Sequence, residues 1–415
     1  MAYLILGNSA AGIAAAERIR QIDRNNSITI LSDEPHAAYS RCLTSYYLGG
    51  QVTEQDMFLR ANNFYQAMGI SFQPKQKAVA VKPDKKQVVT DQDNIYSYDK
   101  LLIATGASAN RPSLPGLESD GVFSLRTMDD AKAIGATCQK GRQAVVLGGG
   151  LVSLKVAAAL NQRGMNVTVL VGSNRVMSQN LGDTAAGLVE EQLARMGITV
   201  KKGTRPVSVE SDADGTVTGV KLHNGDFYQA DLVIVGKGVR PNSSFLKETG
   251  LVNEDCEPLK VNPRQETALK DIYAAGDVAL TYNIIDENYS YSAIWPNALE
   301  QGAAAGTNMA GLAKEYPGSI PMNSASFGGV PVIAAGITQP GAEGCAFMED
   351  KDAKGNYRML VLDAGRLVGF TLFGDTARAG LYTGIIKSRK QFQSNQILWQ
   401  KPRNYLSLTG ISTYQ

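Results

Sequence analysis

Short apolar runs alternate with helix-forming stretches along this chain, and partway along the alternation starts again. Tyr3 to Leu6 is an apolar run that reads as a buried strand. It breaks at Gly7-Asn8-Ser9-Ala10-Ala11-Gly12 and continues into Ile13-Ala14-Ala15-Ala16-Glu17-Arg18-Ile19, a good helix former. Ser27 to Leu31 predicts a second strand. Ala78 to Val81, Gln87 to Thr90 and Ile95 to Tyr98, separated by turn residues, predict a small antiparallel meander. Lys100 to Gly106 (KLLIATG) returns to a buried strand. From Gln143 the order repeats: Ala144 to Leu147 as strand, Gly148-Gly149-Gly150-Leu151-Val152-Ser153 as turn, Leu154 to Leu160 as helix and Val167 to Val171 as strand. His223-Asn224-Gly225 predicts a hairpin between Val217 to Leu222 and Asp226 to Gln229. Ala230 to Gly238 then mirrors Asp99 to Gly106. Asp271 to Asp277 reads as a strand and Asn297 to Met309 as a helix. After Tyr316-Pro317-Gly318 the runs Val330 to Ala334, Tyr357 to Leu362 and Leu367 to Leu372, with a helix near Thr376 to Ile386, predict a separate C-terminal α+β domain.

Strand, tight glycine turn and helix place backbone N–H groups at a helix N-terminus, where a diphosphate binds. One such turn is weak evidence; two in matching contexts are strong. The fold class is therefore α/β, with two Rossmann-like dinucleotide-binding domains, the second inserted into the first, and a C-terminal α+β interface domain. The expected boundaries are 1–112 with 246–315, then 113–245, then 316–415. Asp33 and Glu34 follow the second strand, where an acidic residue binds a ribose hydroxyl; a solvated pair before Pro35 is the plain alternative.

Composition narrows the function by exclusion. A net charge of +2 over 415 residues gives no basic face for nucleic acid. No apolar run approaches the ~20 residues of a membrane span. Cys42, Cys138, Cys256 and Cys345 are scattered without a CxxC, and His36 and His223 are the only histidines, so no metal site is expected. The early first strand predicts that no leader segment is present, and the cysteine usage suits a cytoplasmic protein.

Four landmarks occur in order: the turn Gly7 to Gly12, Ala104-Thr105-Gly106, the turn Gly148 to Ser153, and Ala275-Gly276-Asp277. With YSRCLTSYYLGG (Tyr39 to Gly50), GVRPN (Gly238 to Asn242) and WPNALEQG (Trp295 to Gly302), the chain resembles the FAD-dependent pyridine nucleotide–disulfide oxidoreductase superfamily over nearly its full length. It is most similar to the branch holding NADH:rubredoxin oxidoreductases, nitrite reductase flavin subunits, NADH oxidases and coenzyme A-disulfide reductases. The resemblance implies FAD in the first unit, NAD(P)H in the second, and a homodimer formed by the C-terminal domain. It further implies that hydride passes to the flavin and electrons leave to a small rubredoxin- or ferredoxin-like carrier or a reductase subunit.

In that setting Gly7, Ser9, Ala10, Ala11, Gly12, Asp33, Glu34, Arg41, Ala104, Thr105, Gly106, Gly276, Asp277 and Pro296 would bind FAD. Arg41 would neutralise the diphosphate, Asp277 would accept from the ribityl chain, and Trp295 would lie beside the flavin or serve as core. Gly148, Gly149, Gly150, Leu151, Val152, Ser153, Arg175 and Gly238 would bind NAD(P)H. Three positions depart from the family pattern. Ser9 replaces a glycine without crowding the phosphates. In the second turn Ser153 replaces the third glycine, Lys155 stands where a glutamate is common, and Val171 stands where an acid would hold an NADH ribose. Losing that acid leaves Arg175 able to pair with a 2′-phosphate, or the site degenerate. Lys155 facing the flavin would raise its potential; otherwise it is a helix-surface lysine. Cys42 lies where the single redox cysteine of the thiol-based members sits, and would reduce a disulfide, peroxide or oxygen; its plain reading is a small buried hydrophobe. The basic group Lys387, Arg389, Lys390, Lys401 and Arg403 offers a docking face for an acidic carrier, or a solvated surface.

Overall fold

A computed structural model describes residues 1–392 except 254, 256, 340 and 343. The chain divides into two compact units. The first combines Met1–Tyr47, Val52–Asn110 and Val239–Ser319; the second combines Leu48–Gln51, Arg111–Gly238 and the chain from Ile320 onward. Cys256, Lys401 and Arg403 lie outside the described residues.

The first unit is built on a five-stranded parallel sheet in the order Ile272–Ala274, Lys100–Ile103, Ala2–Leu6, Ser27–Leu31, Ile70–Gln73. Its central strands are apolar on both faces because both faces are covered, as parallel sheets require. Helices Ala10–Ile22 and Trp295–Met309 pack directly on each other, and glycines let them do so. A Cβ on Gly302 would stand 2.2 Å from the Ala11 carbonyl oxygen, and one on Gly306 2.5 Å from that of Ala15. The expected meander is the antiparallel sheet Ala78–Lys82, Gln87–Thr90, Ile95–Ser97. Where the chain leaves this unit and returns to it, Ala107–Ala109 and Val239–Pro241 pair antiparallel.

Asp271 holds one sheet edge. Its φ of 66° is left-handed, and its carboxylate accepts from Lys100 at 2.6 Å and Lys86 at 2.8 Å. Hydrogen bonding to Lys100 and then Lys86 pulls its pKa down to about 2. Because the folded pKa is depressed, this contribution is present above the unfolded value near 4 and disappears as pH falls toward 2. Lys86 is 47% exposed and screened, so Asp271→Asn, which tolerates the same backbone, should cost about 1 kcal/mol at neutral pH. Urea melts at pH 7 and pH 2.5 should show that loss shrinking at the lower pH.

The second unit holds another five-stranded parallel sheet, ordered Thr199–Lys201, Asn166–Leu170, Gln143–Leu147, Leu232–Val235, Val122–Phe123. The hairpin Val217–Leu222 to Phe227–Gln229 joins Pro206–Ser211 in a small antiparallel sheet. Gly225, with φ of 91°, supplies the turn conformation. From Met322 the chain forms an antiparallel sheet in the order Met322–Phe327, Val330–Gly336, Arg366–Phe373, Tyr357–Asp363, Cys345–Lys351, followed by the helix Ala379–Ser388. Its strands Met322–Phe327 and Cys345–Lys351 were not foreseen from the hydrophobic pattern. Among the described residues no helix is long and apolar enough to cross a membrane, and no group of side chains is arranged to hold a metal.

Candidate functional site

The two glycine turns have nearly the same geometry. Gly7 has φ of 120° and Gly148 of 125°. A Cβ on Gly7 would lie 2.1 Å from the Ala104 carbonyl oxygen, and one on Gly148 2.1 Å from that of Gly236. Gly7 N donates to Leu31 O at 2.8 Å, and Gly148 N to Leu170 O at 2.9 Å. Each turn is thus pinned between the end of its neighbouring strand and the start of the Ala104-Thr105-Gly106 or Gly236-Lys237-Gly238 segment. In both, backbone approach leaves no room for a side chain, and glycine is the residue that fits.

What differs is where the bulk sits. In the first unit a Cβ on Gly12 would lie 2.0 Å from the Gly7 carbonyl oxygen, and Ala104 stands at the facing strand end. In the second, Ser153 takes the position of Gly12 and Gly236 that of Ala104. Ser153 Oγ donates to Gly236 O at 3.2 Å, and a Cβ on Gly236 would be 2.0 Å from that hydroxyl. The serine is accommodated by a glycine opposite, so the turn keeps its shape despite losing the third glycine.

Both turns open helices whose N-termini carry no side-chain cap and no acidic residue in the first turn, at Ser9 and Gly150. The helix Trp295–Met309 is the same, with Pro296 in its first turn. Helices Glu54–Met57 and Met128–Thr137, by contrast, are closed by Thr53/Asp56 and Thr127/Asp130 capping boxes. Uncapped N–H groups and a positive dipole end suit an anion or an electron-rich ring edge. With a glycine turn ahead of each, the helix starts at Ser9 and Gly150 both fit the diphosphate of a dinucleotide.

Around the first turn, Asn8 Nδ2 donates to His36 O at 3.3 Å while Tyr65 Oη donates to Asn8 Oδ1 at 2.9 Å. Burial raises the Tyr65 pKa, keeping the donor protonated. Glu34 and Arg41, expected separately at the ribose and the diphosphate, form an ion pair, and Tyr39 Oη donates to Glu34 at 2.6 Å. The Arg41 guanidinium also lies over the Tyr39 ring. Asp33 is exposed beside them. Buried Gln301 accepts from Gly276 N and donates to Thr281 Oγ1, both at 2.8 Å, fixing the strand end that carries Asp277. Thr105 Oγ1 donates to Asn242 O at 2.8 Å, and Asn242 Nδ2 returns a bond to Thr105 O at 3.0 Å. Gln301, Asn242, Asn8 and Tyr65 had no assigned role in the sequence. Gln301, Asn242 and Asn8 lie within quoted motifs, which was the available signal; Tyr65 carries no local signature.

Trp295 is part-buried and packs against the core under the first sheet. Cys42 is exposed, in the short turn Arg41–Leu43, which corrects the expectation of a buried hydrophobe. Lys155 is half-buried on the helix Leu151–Gln162. Val171, 1% exposed, closes the strand end where an acid was looked for. Arg175 pairs with Asp183 at 2.8 Å and donates to Gln339 at 2.7 Å.

Two parallel sheets, each with a glycine turn and an uncapped helix, define a protein that binds two dinucleotides. Residues 1–302 match the family model described as pyridine nucleotide-disulphide oxidoreductase, and residues 321–390 match that of the rubredoxin NAD+ reductase C-terminal domain. The chain belongs to the pyridine nucleotide-disulphide oxidoreductase family, whose cofactors are FAD and NAD(P)H. It is 31% identical over 392 residues to the assimilatory nitrate reductase electron transfer subunit of Bacillus subtilis (strain 168), covering 93% of this chain and 49% of that one. It is 33% identical over 318 residues to the rubredoxin-NAD(+) reductase of Pseudomonas putida, covering 76% and 82%. The solved NAD-dependent persulfide reductase from A. fulgidus superposes with a TM-score of 0.86 at 27% identity, covering 94% and 77%. The chain thus spans about half the length of the nitrate reductase subunit and most of the other two.

Proposed function

We propose that this chain is an FAD-dependent oxidoreductase that takes hydride from NAD(P)H and passes electrons to a small rubredoxin- or ferredoxin-like carrier. The observation that carries the reading is the repeated turn: the same left-handed glycine, the same 2.1 Å approach to a facing carbonyl, and an uncapped helix behind each. The similarity to a rubredoxin-NAD(+) reductase and the match at 321–390 support the carrier as acceptor. In this reading residues 1–112 and 246–315 bind FAD, 113–245 bind NAD(P)H, and 316–415 form the interface of a cytoplasmic homodimer.

Bound FAD would supply the conversion between two-electron and one-electron transfer. The chain's part is to hold and tune it. The Gly7 turn and its helix would bind the diphosphate, and exposed Asp33 would take the ribose, while Glu34 pairs with Arg41 and Tyr39. Gly276, fixed by Gln301, sets Asp277 for a ribityl hydroxyl. The helix begun by Trp295 and Pro296 directs its positive end at the ring edge that gains negative charge. Anaerobic addition of NADH or NADPH to the flavin-loaded chain should bleach the flavin. If neither does, while a partner protein reduces it, this is a flavin subunit of a larger complex. The half-length match to a nitrate reductase electron transfer subunit favours that second reading.

Exposure of Cys42 keeps the thiol-based alternative open to test. We expect Cys42→Ser to retain carrier reduction within about twofold, since a group outside the transfer path contributes no transition-state stabilisation. Loss of activity, with iodoacetamide labelling of the wild-type thiol only after reduction, would assign the chemistry to Cys42.

A further inference from the structure

The crevice of the second unit opens beyond the carboxyl ends of Gln143–Leu147 and Leu232–Val235, where the strand order reverses. Such a site separates NADH from NADPH at the adenosine 2′ position, by an acid at the end of the next strand or by an arginine nearby. Among the described residues the strand end carries no acid, and the nearby Arg175 is engaged elsewhere. Val171 occupies the strand end, and its Cγ1 lies 2.6 Å from where a Cβ on Gly149 would stand, so it fills the space beneath the turn. Its N–H donates to Lys201 O at 2.8 Å and its carbonyl accepts from Thr204 N at 2.9 Å, which fixes the strand end in place.

Arg175 is committed elsewhere. Besides Asp183 and Gln339, its Nε donates to Leu181 O at 3.2 Å and its Nη2 reaches Ser178 O at 3.4 Å. Gln339 Nε2 closes the ring by donating to Ser178 O at 3.1 Å and Leu181 O at 3.2 Å. Turning the guanidinium toward a phosphate would break this clasp. On the adjoining strand end, Lys202 is held by Glu190 at 2.8 Å. The cation at the switch point itself is Lys237, between Gly236, which meets Gly148, and Gly238, whose φ is 83°. Lys237 is exposed at this point of the chain, and partial desolvation of its ammonium lowers its pKa from the ordinary lysine value.

We propose that the second unit holds pyridine nucleotides through the diphosphate they share, with Lys237 as the added cation, and does not read the 2′ position, so that NADH and NADPH are accepted alike. This rests on the NAD(P)H reading above and says which nucleotide the site selects.

Calorimetric titration of the flavin-loaded chain with NAD+ and NADP+ tests it apart from catalysis. The two dissociation constants should agree within about fivefold, and a preference beyond about twentyfold either way would overturn the proposal. Arg175→Ala should leave their ratio within about threefold; selective loss of NADP+ by tenfold or more would give Arg175 the 2′-phosphate. That ratio is unaffected by any fraction of misfolded protein. Lys237→Ala should weaken both by about tenfold, the size of one charge-assisted contact, and weakening of one only, or neither, counts against the proposal. If neither nucleotide binds the parent protein, the inference is wrong. If both bind alike but neither bleaches the flavin, the inference stands and the electron-donor reading falls.

Discussion

Gly302→Ala should destabilise the first unit by about 3 kcal/mol or more, at the top of the range for overpacked cores. The added methyl carbon would lie 2.2 Å from the Ala11 carbonyl oxygen and 2.7 Å from its Cα, both backbone atoms. No side-chain rotation relieves such a clash; the helices Ala10–Ile22 and Trp295–Met309 must separate. They meet again at Gly306, and Gly276 packs against Ala11 and Ala298 in the same region, so separation at one point loosens the whole seam. Gly187 provides the matched control. It lies inside the helix Asp183–Arg195 with no atom near the position of an added Cβ. There alanine relieves the entropic cost of a helical glycine, and Gly187→Ala should stabilise by about 0.5–1 kcal/mol. Calorimetric melts of the two variants should therefore shift in opposite directions. A neutral Gly302→Ala would mean that the helix seam is not the close contact described.

That seam shows why part of this molecule was legible in its sequence and part was not. The central parallel strands were plain because burial on both faces makes them continuous apolar runs, as in Tyr3 to Leu6 and Val145 to Leu147, whereas the short outer strands Ile70–Gln73, Thr199–Lys201 and Val122–Phe123 were not. The turns were plain because a left-handed φ and a carbonyl contact demand glycine at Gly7 and Gly148. The strands Met322–Phe327 and Cys345–Lys351 were not, since both lie at sheet edges: the first is largely polar and only partly buried, and in the second the short run Cys345 to Met348 gives way to charged residues on a mostly exposed strand. The pairing of Glu34 with Arg41 was hidden for a different reason. Sequence assigned each to a separate part of the ligand, and only the chain's course through Tyr39 brings them together. Arg175 is the clearest case. A basic residue beside an acid-free strand end was read as a phosphate ligand, whereas Gln339, far along the chain, completes a clasp that no local pattern could reveal.

The repeated turn yields the sharpest separation of roles. Gly7→Ala and Gly148→Ala introduce the same atom into the same surroundings, 2.1 Å from a facing carbonyl oxygen and on a backbone with φ near 120°. An L-residue there carries strain of about 1–3 kcal/mol before any clash is counted. The backbone must move, and the N–H groups at the head of the helix behind it move too. In the first unit the diphosphate of FAD loses its cradle, so Gly7→Ala should be purified largely without flavin. In the second unit FAD should stay bound while the pyridine nucleotide loses its cradle. Gly148→Ala should accordingly be yellow, be bleached by dithionite, and resist NADH and NADPH, with apparent affinity lowered by about a hundredfold or more, as for a displaced binding geometry. Absorbance of the purified variants and anaerobic titration decide the matter. If Gly148→Ala loses flavin, or Gly7→Ala keeps it while losing the response to NAD(P)H, the two turns have been assigned to the wrong nucleotides. If Gly148→Ala is bleached as readily as the parent chain, the second turn is not where the electron donor binds, and electrons must enter the flavin from a partner protein.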